Sequence, residues 1–143
     1  MSLSGTYDSN NVFAKIMRGE MPCVKVYEDG AVLVIMDAFP QSKGHVLVIP
    51  RTPSRNLLEV APKDIGRLFG AVQRVTAAVN TALSPDGIVV TQFNGAPAGQ
   101  TVFHTHVHII PRYAGDELKG HAADAMADMK DLESIAALIR AAL

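Results

Sequence analysis

His104, His106 and His108 recur at every second position of the segment His104-Thr105-His106-Val107-His108-Ile109-Ile110. In an extended strand the side chains alternate between faces, so these imidazoles point one way while Thr105, Val107 and Ile109 point the other. Rings on that face would stand about 7 Å apart, from a rise of roughly 3.4 Å per residue. A strand buried on both faces carries apolar residues on both. Three imidazoles in register therefore predict a face that meets something polar. Neutral imidazole, with an ordinary pKa of about 6.5, keeps an unprotonated nitrogen near pH 7 and can attack an electrophilic phosphorus. The resulting covalent phosphoryl-imidazole would be cleaved by water, which divides one difficult displacement into two easier ones.

The loop before this segment, Asn94-Gly95-Ala96-Pro97-Ala98-Gly99-Gln100-Thr101, is built of small residues that let backbone N–H groups approach an anion closely. Taken alone it is equally well a plain connection. With the histidines beside it, its amides and the Thr101 hydroxyl become candidates to neutralise charge on phosphoryl oxygens. A zinc site is the rival reading, because His-x-His on a strand can offer two imidazoles to the metal. Zinc wants a third or fourth protein ligand. The sequence offers Cys23 and no Asp or Glu beside the strand, so no metal is expected. His121, isolated in the chain, reads as structural.

The elements that must position these residues follow from periodicity. Val12, Phe13, Ile16 and Met17 have helical spacing that stops at Gly19. Val24–Tyr27 and Ala31–Met36 read as a hairpin around Glu28-Asp29-Gly30, and His45–Ile49 as a third strand ended by Pro50. From Pro62, apolar residues Ile65, Leu68, Phe69, Val72, Val75 and Val79 predict a helix several turns long. Strands are predicted over Ile88–Phe93 and from about Thr101 to Ile110, with Pro111 ending the last. Met129, Leu132, Ile135, Ala136 and Ile139 predict a C-terminal helix within about residues 124–143. Five short strands and one long helix point to an α+β domain on an antiparallel sheet.

With 143 residues the chain suits one compact domain, and 48% hydrophobic against 19% charged residues places it among globular proteins. The net charge of −1 comes with scattered Lys and Arg, which argues against a polynucleotide partner but not against a ligand with one or a few phosphates. Cys23 is the only cysteine, so an intrachain disulfide is excluded and a reducing, cytoplasmic setting is expected. The longest aliphatic stretch, Ala31 to Met36, is far below the ~20 residues that span a bilayer, so no membrane partner is expected.

His104 to Ile110 resembles the signature of the histidine-triad (HIT) family, His-x-His-x-His followed by two apolar residues. The resemblance extends through Val12–Pro22, through Asp37–Pro50 with its Lys-Gly-His-Val-Leu-Val-Ile-Pro ending, and through Ala98-Gly-Gln-Thr-Val-Phe. It implies a HIT-like fold over residues 11–113, a flexible lead over 1–10, and a C-terminal extension over 114–143 that packs on the same domain. It also implies roles. His106 would be the nucleophile, with His104 and His108 flanking the phosphate and His45 completing the set. Gln100, Thr101, Asn94 and Gly99 would form the phosphate loop, and Asp37 would hold the ribose hydroxyls. Val12, Phe13, Ile16, Met21, Ile35 and Ala38 would form the apolar pocket around the base.

The implied activity belongs to the Hint-like branch: attack at the α-phosphorus of a nucleoside phosphoramidate or adenylylated substrate, releasing a nucleoside monophosphate of the AMP or GMP type without a cofactor. The alternatives are hydrolysis of dinucleoside polyphosphates of the Ap4A or Ap3A type and, from another class, a nucleotide-binding protein with little turnover. Two departures from the family pattern stand out. Phe93 falls where relatives place an Asn or Gln that contacts phosphate, so either Asn94 takes over or the contact is missing. Asn11, Ala14 and Pro53 occupy three of the positions where some bacterial members bind a structural zinc, so none is expected. Family members pair as homodimers that join their sheets, and the same assembly is implied for this chain.

Overall fold

The computed structural model describes residues 3–117 and 126–143. His121 therefore lies outside the described residues, as does the beginning of the predicted C-terminal helix. The described chain forms α1 (Val12–Met17), β1 (Lys25–Glu28), β2 (Val32–Met36), β3 (Val46–Pro50), α2 (Pro62–Leu83), β4 (Gly87–Thr91), β5 (Val107–Arg112) and α3 (Met129–Ala141). Short 3-10 turns occupy Leu57–Glu59 and Ala96–Ala98. The five strands make one antiparallel sheet in the order β1-β2-β3-β5-β4, which is the α+β architecture expected.

Local chemistry explains the turns. Asn11 caps α1 by accepting the Ala14 N–H at 3.0 Å. Asp29 closes the β1–β2 hairpin by accepting from the N–H groups of Ala31 and Val32 at 2.7 and 2.9 Å. Gly44, entering β3 with φ +93°, leaves no space for a Cβ against Leu83 and Pro111, so only glycine fits there.

Alternation along β2 and β3 divides the core into two layers. Val32, Val34, Val46 and Val48 face α2 and α3, joining Leu68, Val72, Val75 and Val79 of α2 and Leu132, Ala136 and Ile139 of α3. Leu33, Ile35, Leu47 and Ile49 face the other way and pack with Phe13 of α1. Leu47 is opposite His108 in the β3–β5 register, so the His108 ring belongs to this second, thinner layer. Phe69, predicted to lie on the apolar stripe of α2, is 40% exposed and faces outward.

Several strand limits differ from the sequence prediction. β5 starts at Val107 and not near Thr101, which leaves His104, Thr105 and His106 outside the ladder. Pro50 and Pro111 lie inside β3 and β5, opposite Val32 and Ile88. The β3–β5 pairing spans only Val46–Val48 against Val107–Ile109. Each proline therefore sits where one side of its strand has no partner, the position at which a missing N–H is tolerated. β4 ends at Thr91, so Phe93 belongs to the loop.

Candidate active site

A cavity of about 490 Å³ opens on the α1 side of the sheet. Its walls include Val12, Phe13 and Ile16 of α1, Met21, and Ile35, Asp37 and Ala38 at the end of β2. All seven residues assigned to the nucleoside thus converge. His106, His108 and Thr101 line the same space. Among the described residues of this wall there is no Lys or Arg, so the charge of a phosphate must be met by N–H and O–H donors.

The hydrogen bonds fix the tautomer of each ring. His106 Nδ1 lies 2.7 Å from the His104 carbonyl, which can only accept, so Nδ1 carries the proton and Nε2 holds the lone pair. The His106 ring sits 4.8 Å from the Phe13 ring and 5.0 Å from that of His108, between the base-side wall and the rest of the histidine cluster. His45 accepts the Gln41 N–H at Nδ1, 3.0 Å, so its proton is on Nε2. That N–H is shared between His108 Nδ1 at 3.0 Å and Asp37 Oδ2 at 3.3 Å. His108 consequently bears its own proton on Nε2, a donor suited to a phosphoryl oxygen.

Five assigned residues do not line the cavity. His104 is buried, and its ring does not line the cavity. Its Nε2–H donates to the Pro50 carbonyl at 2.7 Å and its Nδ1 accepts from the Tyr7 hydroxyl at 2.6 Å. Burial pushes its pKa below the ordinary imidazole value, only partly offset by the Pro50 bond, so the ring stays neutral. Its ring turns away from the cavity, because residues 104–106 precede β5 and do not keep the strand alternation that the sequence predicts. His45, fully buried, reaches the cavity through His108 and Asp37.

The carboxamide of Gln100 is buried in its own loop, accepting from the Gly95 N–H at 2.8 Å and donating to the carbonyls of Arg55 and Val102 at 2.6 and 3.0 Å. Asn94 does not line the cavity, and its Oδ1 accepts from the Leu57 N–H and from Gln92 Nε2. Phe93 instead lays its ring against His108, with 5.4 Å between centroids. Gly99, at φ +111°, caps the Ala96–Ala98 turn against the Phe93 ring and does not line the cavity.

Sequence reasoning missed the outer wall. Met126, Met129 and Leu132 line the cavity from α3 and its approach, and the Ala127 N–H donates to the Ala38 carbonyl at 2.8 Å. Their helical stripe was readable, but the sheet edge it docks on was not. The metal argument also needs correction. Asp37, His45 and His108 place ligand-type atoms within 4.8 Å of one another, so a carboxylate does stand beside the histidines. Those atoms are hydrogen-bonded among themselves, and a metal would have to displace the His45 proton.

An α+β sheet carrying a nucleophile-ready imidazole over an apolar cavity defines a histidine-triad protein, and the comparisons agree. The HIT domain family matches residues 18–115. Adenylylsulfatase HINT3 of Arabidopsis thaliana is 40% identical over 125 residues, 83% of this chain, which spans 64% of that relative's length. Adenosine 5'-monophosphoramidase hnt1 of Schizosaccharomyces pombe is 39% identical over 101 residues, 71% of this chain and 73% of its own. The crystal structure of a Hit-like protein involved in cell-cycle regulation from Bartonella henselae superposes with a TM-score of 0.89 at 48% identity, covering 96% of this chain and all of that one. The chain belongs to the HIT family, in its Hint-like branch.

Proposed function

We propose that the chain is a nucleotide hydrolase that cleaves the α-phosphate bond of a purine nucleoside phosphoramidate or adenylylated substrate through a nucleotidyl-His106 intermediate. One observation carries the reading: the Nδ1–H of His106 is committed to the His104 carbonyl, which leaves the Nε2 lone pair on the opposite edge of a ring that lines a purine-sized cavity. Nε2 attacks phosphorus, the Nε2–P bond forms, and the bond to the leaving group breaks, a departing amine taking up a proton from solvent and an acyl oxygen leaving as the carboxylate. Water then attacks the same phosphorus and releases the nucleoside monophosphate, returning His106 to its neutral state. The His108 Nε2–H, supported by His45 and Asp37, and the Thr101 hydroxyl are the donors available to the equatorial oxygens. Asp37 Oδ1 accepts the Phe39 N–H, which holds the carboxylate at the end of β2 where ribose hydroxyls would reach it.

The names of the two enzymatic relatives, an adenylylsulfatase and an adenosine monophosphoramidase, support the substrate class. The scheme requires no cofactor. A homodimer is part of the reading and is supported by exposed Phe69 on α2 and exposed Val89 and Val90 on β4, an edge strand of the sheet. A cytoplasmic setting is supported by the lone cysteine, and among the described residues no helix is long and apolar enough to cross a membrane.

The test is mass spectrometry of protein quenched in denaturant during turnover of adenosine phosphoramidate. A single adenylyl adduct on His106 is expected. An adduct on any other residue overturns the assignment.

A further inference from the structure

The catalytic loop is held from behind by a polar layer that the proposed reaction does not touch. Residues 101–106 precede β5, so no sheet ladder orients them. The peptide joining His104 to Thr105 is instead bonded at both ends: its carbonyl accepts from His106 Nδ1 at 2.7 Å, and its N–H donates to the Ser54 carbonyl at 2.8 Å. The direction of this one peptide fixes which nitrogen of His106 bears the proton. Its His104 side chain is anchored at two points, Pro50 and Tyr7. Pro50 belongs to β3. Tyr7 belongs to the polar lead that composition alone would leave unattached.

The proton inventory assigns Tyr7 a definite job. The Pro50 carbonyl can only accept, so the His104 proton is on Nε2, and a neutral ring then needs a donor at Nδ1. The Tyr7 hydroxyl is that donor, at 2.6 Å, with the two rings edge-to-face at 5.6 Å. Further bonds tie the same lead to the loop's support. Asn56 Nδ2 donates to the Leu3 carbonyl at 2.8 Å, and Arg55 Nη1 donates to the Thr6 carbonyl at 3.3 Å. Asn56 and Arg55 are both fully buried.

We propose that Tyr7 is a positioning residue for the reaction: acting through the His104 ring, it sets the carbonyl that holds His106 in the Nδ1–H tautomer with Nε2 aimed at the substrate. The inference rests on the reading of His106 as nucleophile. Tyr7 does not line the cavity, so its loss is expected to act on the chemical step and not on nucleotide affinity.

The experiment compares Tyr7→Phe with the wild type using adenosine phosphoramidate, alongside nitrogen-15 NMR of the histidine rings. Misorientation of a reacting group is expected to lower kcat on the order of 10-fold with KM within about 2-fold. In the same variant the His104 Nδ1 resonance moves toward that of an imidazole nitrogen without a donor, and His106 becomes a mixture of tautomers. Placing 3-fluorotyrosine at position 7 keeps the hydroxyl and should restore both kcat and the single His106 tautomer, which a loss of packing would not explain. A Tyr7→Phe protein with wild-type kcat, or with His106 still entirely Nδ1–H, overturns the proposal. If Tyr7→Phe does not fold, the fluorotyrosine protein decides: its stronger donor must shift the His104 Nδ1 signal, and an unmoved signal overturns the role. Should the wild type itself neither turn over nor form an adduct, the hydrolase reading fails, while the ring signals still judge Tyr7.

Discussion

His104 and His106 stand two residues apart and share one motif, yet they serve opposite sides of the loop. Around His104 every polar group is used: both ring nitrogens are bonded, and Ser54 and Thr105 bond each other through side chain and backbone beneath it. Around His106 the Nδ1–H donates to the backbone, and the ring lines a wall made largely of apolar side chains. A buried polar group costs little only when its partners are present, so the first region contributes rigidity and no chemistry. The second keeps a lone pair where an electrophile can arrive. The repeat of imidazoles thus splits into two environments, a buried anchor and a ring that lines the cavity, joined by one carbonyl.

Exchanging alanine for each ring should separate the two roles most sharply. His106→Ala removes the nucleophile and should lower turnover by at least about 10⁴-fold. Affinity for a nucleoside monophosphate, read by calorimetry, should stay within a few-fold. The melting temperature should fall less than in His104→Ala, since the His106 ring borders the open cavity and its truncation leaves no wholly enclosed void. His104→Ala leaves a buried cavity and orphans the Pro50 carbonyl and Tyr7 hydroxyl, costing about 3 kcal/mol of stability. Differential scanning calorimetry should register this as a fall of roughly 10 °C. Equal melting losses in the two variants would erase the distinction between anchor and nucleophile.

How much of this the sequence discloses depends on whether a residue's role is set by alternation or by docking. The period-two pattern places His106 and His108 on one face, and turn chemistry puts Asp37 at the end of β2 beside them. The helical spacing of Val12, Phe13 and Ile16 yields α1, while their place on the cavity wall is implied only by the family resemblance. The same pattern misleads at His104, because the strand begins only at Val107 and the preceding residues follow a bent path that no periodicity encodes. Gln100 and Asn94 look like phosphate contacts by position, but the loop consumes their side chains to satisfy its own backbone. Tyr7 and the Met126–Leu132 wall come from segments far away in the chain, and only tertiary packing brings them to the site.

The anchor region also carries its own signature in acid. Burial in the folded protein holds His104 below its ordinary pKa, while the unfolded chain titrates near the usual imidazole value of about 6.5. Between the folded and unfolded values the unfolded state binds the extra proton. The stability contributed by the neutral ring is therefore fully present above about pH 6.5 and is lost as pH falls toward the folded value. Denaturant unfolding measured from pH 8 down to pH 5 should show this decline in the wild type. It should be shallower in His104→Gln, whose amide does not titrate, and identical slopes would remove His104 as its source.

The smallest expected effect tests the far wall of the nucleophile region. Met129 lines the cavity from the first turn of α3, and 43% of its surface remains exposed, so a bound base would cover side-chain area that water now reaches. Covering part of a Met side chain contributes about 1 kcal/mol, which corresponds to roughly 5-fold in affinity. That contact is the same in the ground state and in the transition state, so it raises affinity without speeding the displacement. Met129→Ala should therefore raise KM for adenosine phosphoramidate by roughly 5-fold with kcat unchanged, opposite to the pattern of Tyr7→Phe. A variant with unaltered KM would mean that α3 closes the cavity without touching the nucleoside, and that the base is gripped by α1 and β2 alone.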